Sequence, residues 1–166
     1  MIEVLSVQGV KIVRALVFAA FLCGGACPVF AQGKISPDPL KPYPGFKPHE
    51  LSFRTPDDGV ARAEYRSEPF YAVILRTARP CSVTEKERIE VQALLPGNKV
   101  FSTRFGCGDN PEENINYTNV NREFGFIAVH AGATSAEAER LLAAVKQTGK
   151  FPGANIRRMQ AVLVYP

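Results

Sequence analysis

The chain has 166 residues, 46% of them apolar and 22% charged, with 13 Gly, 13 Pro, no Trp and a formal net charge of +4. These figures exclude a collagen-like, coiled-coil or wholly disordered chain and fit a single domain. The basic excess is spread among Lys, Arg, Asp and Glu without the clustered cations of a nucleic-acid footprint, so nucleic acid is not an expected partner.

Residues 1–31 read as a secretory signal peptide. Lys11 and Arg14 give a basic entry, residues 15–21 are strongly apolar, Gly24 and Gly25 break the run, and Val29 and Ala31 supply small residues ahead of a cleavage point at Ala31-Gln32. The uncharged stretch 15–31 holds two Gly and a Pro, and it is short of the about 20 residues that a span requires. A retained anchor and lipidation at Cys27, after Gly25-Ala26, are the alternatives, and only they would place the chain at a membrane. The expected location is periplasmic or extracellular.

Removing the leader takes away Lys11, Arg14 and Glu3, which lowers the net charge from +4 to +3, and removes Cys23 and Cys27. Cys81 and Cys107 remain, and an even pair in an oxidising compartment is expected to form a disulfide. On the chain-entropy estimate such a bridge adds about 3.5 kcal/mol. Two Cys and two distant His show no metal-ligand spacing, so neither a metal nor another cofactor is expected.

Residues 32–58 carry six prolines from Pro37 to Pro56 and few branched apolar residues, the pattern of an extended tether. Residues 60–67 are transitional, either an edge strand or a short helix, so 32–68 is set apart from a folded unit over 69–166. That unit opens with Phe70-Tyr71-Ala72-Val73-Ile74-Leu75, an apolar run of strand length. Ser82 with Glu85 forms a capping-box pattern, and residues 84–95 read as the helix that follows, ended by Pro96-Gly97. Alternation of Ile89, Val91, Ala93 and Leu95 with polar residues leaves a hairpin strand as the other reading of that segment.

Residues 99–105 are a second strand. Asn114, Asn116, Asn119 and Asn121 then supply turn chemistry. Residues 124–131 are the third strand. Thr134 with Glu137 forms another capping box, and Ala138, Leu141, Leu142 and Val145 make one apolar stripe on a helix closed by Gly149. Residues 155–165 are the fourth strand. The order βαββαβ predicts an α+β, ferredoxin-like fold: a four-stranded antiparallel sheet with two helices on one face and the other face open.

The stretch Val129-His130-Ala131-Gly132-Ala133-Thr134, with Glu139-Arg140-Leu141-Leu142 after it, resembles the strand-Gly-helix signature of SPOR domains, the sporulation-related repeat that binds septal peptidoglycan. Residues 152–158 are similar to the segment by which that family enters its last strand. The resemblance covers residues 124–166, and repeat symmetry extends it to 70–106. His130 stands where the family typically carries Gln, and Arg76 and Thr77 replace the Gly and its neighbour in the first half.

What the resemblance implies is an exported, non-catalytic envelope module that binds peptidoglycan glycan through the open sheet face. Tyr71, for stacking, and Arg76 with His130, for hydrogen bonds, are the candidate ligand residues. The alternative is a structural or assembly protein docking on a larger envelope complex. An enzyme is not expected: the acidic pairs Asp57-Asp58 and Glu112-Glu113 are neighbours in loops, unlike the separated, convergent carboxylates of a hydrolase, and no nucleophile elbow or phosphate loop is present.

Overall fold

The computed structural model describes residues 34–35, 43, 45–55, 64–104, 107 and 115–164. The leader with its cleavage point and Cys27, and the pairs Asp57-Asp58 and Glu112-Glu113, lie outside the described residues. Among those described, the order is β1 (Lys34–Ile35), β2 (Glu64–Ser67), β3 (Phe70–Ala78), α1 (Glu85–Leu94), β4 (Val100–Thr103), β5 (Ile115–Tyr117), β6 (Gly125–Gly132), α2 (Ser135–Gln147), β7 (Asn155–Met159) and β8 (Ala161–Val164). The fold is mixed α+β.

One sheet has the order β4-β6-β3-β7, with every neighbouring pair antiparallel. Its central strands β3 and β6 are buried on both faces, which is why each reads in the sequence as a continuous apolar run. Val73, Leu75, Val100, Ile127 and Val129 pack on one face with Val91 of α1 and Ala138 and Val145 of α2.

The opposite face is covered, contrary to the open face expected from the sequence. Phe70, Ala72, Ile74, Phe101 and Phe126 pack there against Tyr65, Ile115, Tyr117, Ala161 and Leu163 of a second sheet, ordered β1-β2-β8-β5. The second sheet exists because the last strand is two strands. At Gln160 the chain leaves the first sheet, where β7 pairs with β3, and enters the other, where β8 pairs with β2 and β5. Gln160 holds this corner. Its N–H donates to Thr118 Oγ1 at 2.8 Å and its Nε2 to the Ser67 carbonyl at 3.0 Å, while its own carbonyl accepts from Thr118 N at 2.9 Å.

Part of the expected tether belongs to the core. Leu51 and Phe53 are 0% and 1% exposed and join the cluster between the sheets. The segment is held along β4, where Ser102 N–H donates to the His49 carbonyl at 2.9 Å and Lys99 Nζ to the Pro48 carbonyl at 2.8 Å. The prolines stop at Pro48 and resume at Pro56, so two apolar residues of strand spacing fit between them. Residues 64–67 are β2, an interior strand of its sheet.

Residues 84–95 resolve to a helix, α1, capped at Thr84 and not at Ser82: Thr84 Oγ1 accepts from Glu87 N–H at 3.2 Å. The apparent alternation fails as a strand signal because Arg88 is the buried member. Its Nε and Nη2 donate to Glu85 at 2.9 and 2.7 Å and its Nη1 to the Val100 carbonyl at 3.2 Å, while Ile89 is exposed. In α2 the Thr134–Glu137 capping box is formed in both directions. Gly132, at φ +104°, lets the chain turn from β6 into it; a Cβ there would stand 2.6 Å from Glu137 Oε2.

Cys81 and Cys107 stand at disulfide distance, with Cα atoms 5.2 Å apart. Of the Asn-rich stretch, Asn119 and Asn121 supply turn chemistry as expected, while Asn116 lies in β5 and Asn114 is outside the described residues. Asn119 adopts φ +58°, a conformation Asn tolerates, and Asn121 Oδ1 accepts from Glu123 N–H at 2.9 Å.

Candidate functional site

The three residues singled out from the sequence are not brought together. Tyr71 is half-buried and packs with the core beneath the helices. Arg76 lies near the other end of β3 and is ion-paired with Glu87 of α1, beside a hollow of about 350 Å³ floored by Leu75, Val91 and Ile127. His130 lies on the opposite face from Tyr71, its ring centroid 5.2 Å from that of Phe70. Burial pushes its imidazole down to about 4 against an opposing pull from Glu137, so it is neutral near pH 7. The Nε2 atom is buried without a hydrogen-bond partner. The neutral ring packs beside Phe70 on the face that the second sheet covers.

A cleft of about 430 Å³ does open at the margin of that face. Its floor is apolar: Ile74 of β3 and Phe126 of β6. One wall is the turn between β5 and β6, with Asn119, Val120, Asn121 and the 42% exposed ring of Phe124. The other wall is the edge strand β7, with Asn155 and Arg157, and Thr77 borders the floor. Register places these side chains together, since Asn155 pairs with Ile74, Arg157 with Ala72, and Thr77 with Phe126. The walls are tied by Asn119, whose Nδ2 donates to the Arg158 carbonyl at 2.9 Å.

The cleft's polar side chains are three Asn amides, the Thr77 hydroxyl and the Arg157 guanidinium. Asn155 Nδ2 donates to the Gly153 carbonyl at 3.3 Å, which leaves its Oδ1 for a ligand. Arg157 is exposed, and the cleft lining contains no Asp or Glu. An apolar floor, an exposed aromatic ring, a few amides and one hydroxyl suit a polar, sugar-sized ligand with one apolar face. Sequence reasoning missed Thr77, Phe124, Asn155 and Arg157. The Asn-rich turn was the available signal, but its role as a wall depends on β7, some forty residues further along the chain.

Among the described residues no cluster of three His, Cys, Asp or Glu could hold a metal ion, and no helix is long and apolar enough to cross a membrane. In comparisons with known proteins, no family model, curated protein or solved structure matches the chain.

Proposed function

We propose that this chain is an exported, non-catalytic binding module of the bacterial cell envelope that engages peptidoglycan glycan. The observation that carries the reading is the cleft between the Asn119–Asn121 turn and β7, with its apolar floor, exposed Phe124 and row of amides. It takes the place of the sheet face expected from the SPOR resemblance, which lies under the second sheet. Two further features support the reading. The Cys81–Cys107 pair suits an oxidising compartment, as in the periplasm. The strand order β4-β6-β3-β7, with α1 and α2 on one face, favours a ferredoxin-like reading of this layer, the fold expected from the resemblance.

The test is retention of the full chain on intact peptidoglycan sacculi and on sacculi stripped of stem peptides. Retention that drops with Phe124→Ala and Asn155→Ala, while Tyr71→Phe binds like the parent, supports the cleft. No retention on either preparation sinks the peptidoglycan reading.

A second reading, an assembly protein docking on an envelope complex, is favoured by α1, which exposes Ile89 at 54% and Leu94 at 41%. Photo-crosslinking from position 89 in cells distinguishes it: a discrete protein adduct supports docking, and none argues against it.

A further inference from the structure

The even spread of charge holds only for residues 1–139. Residues 140–166 contain Arg140, Lys146, Lys150, Arg157 and Arg158 and neither Asp nor Glu, so they contribute +5 to a total of +4 and the rest of the chain sums to −1. All five cations are exposed. They sit on α2, the turn after it and β7, which is an edge strand of its sheet among the described residues. Among the described residues, Lys146, Lys150, Arg157 and Arg158 take part in no ion pair.

We propose that the ligand of the cleft is an anionic glycan, a linear polysaccharide bearing carboxylates, that enters beside Arg157 and continues around the β7 edge onto Arg158 and the turn at Lys150. This rests on the reading of the cleft as a glycan site and names the charge class of its ligand.

Geometry selects a flexible polymer over a membrane. Arg157 pairs with Ala72 and Arg158 with Tyr71, neighbouring positions whose side chains point to opposite faces of the sheet. The cations therefore wrap an edge, which a chain-like ligand can follow and a flat bilayer cannot touch on both sides. The cleft supplies what charge alone does not: Phe124 and the Asn155 amide, within the same concavity as Arg157, offer an aromatic face and a hydrogen-bond acceptor to one sugar ring. A carboxylate on that ring or the next meets a guanidinium that is in no ion pair among the described residues, and the fork geometry of Arg suits two parallel hydrogen bonds to it.

The experiment titrates the full chain with polygalacturonate oligomers and with the same oligomers fully methyl-esterified, at low and moderate salt. The acid form is expected to bind about tenfold or more tightly than the ester, and its affinity to fall steeply between about 50 and 200 mM salt as counterions are released. Arg157→Gln and Arg158→Gln are each expected to weaken binding by about three- to tenfold and to flatten the salt dependence, whereas Lys86→Gln on α1 leaves both unchanged. Equal affinity for acid and ester overturns the proposal while leaving a neutral glycan reading intact. Retention on phosphatidylglycerol vesicles without polygalacturonate binding overturns it in favour of a membrane. Binding of the acid form with no retention on sacculi supports it and removes peptidoglycan as the source of the glycan.

Discussion

His130 stacks on Phe70 across the two central strands, with ring centroids 5.2 Å apart and an imidazole that burial holds neutral down to about pH 4. In the unfolded chain that imidazole titrates near 6.5. Between these values the unfolded state binds more protons than the folded state, so stability is complete above 6.5 and falls as pH drops toward 4. The loss amounts to about 3 kcal/mol over that window. Urea denaturation from pH 7 to 4 measures it, and His130→Phe should flatten that stretch of the curve. An unchanged slope in the variant would show that another group is responsible.

Gly132→Ala is expected to destabilise by about 2–3 kcal/mol, because both the left-handed backbone and the crowding by Glu137 act against a side chain. Pairing it with Glu137→Ala relieves the crowding alone, so chemical denaturation should show a partial recovery after allowance for the lost cap.

Replacing both Cys81 and Cys107 with Ser is expected to cost about 3.5 kcal/mol on the chain-entropy estimate. Thiol titration of the native protein gives the companion result. Two reactive thiols would show that the pair is not bonded.

Phe53→Ala is expected to cost about 3–5 kcal/mol, the penalty of a large void in a closed core. A loose tether would tolerate the change, so thermal denaturation of this variant decides whether residues 49–53 belong to the folded unit.

Gln160→Ala is expected to cost about 1–2 kcal/mol, since the Ser67 carbonyl loses its donor at the corner between the sheets. Gln160→Glu should cost at least as much, because a carboxylate placed against a carbonyl repels it.

Much of the helix-covered sheet was legible in the sequence. Strands buried on both faces advertise themselves as unbroken apolar runs, as at Phe70 to Leu75, and α2 carries its own cap and stripe. The second sheet was not legible, and the reason is local silence. β7 and β8 are both strand-forming, and the break between them is one Gln whose partners, Ser67 and Thr118, lie 93 and 42 residues away. Leu51 and Phe53 were diluted by the prolines around them. The cleft inherits both difficulties, since one wall is the turn at Asn119 and Asn121 and the other is β7, whose continuation crosses to the second sheet. Of the residues that the sequence marks, Arg76 is exposed at its strand end, whereas Tyr71 and His130 are half-buried, because the sheet carries a layer on each face.

The Gln160 corner also governs the order in which the molecule can assemble. Ala161 N–H donates to Ser67 Oγ at 2.9 Å and β8 is the strand that joins β2 to β5, so the second layer has no centre until residues 161–164 are in place. Closing a contact across 94 residues is slow, and Phe70, Phe101 and Phe126 stay uncovered while it is pending. Until residues 161–164 dock, the aromatics of β3, β4 and β6 should therefore stay open to proteolysis, and a chaperone that grips exposed aromatics would find its sites there.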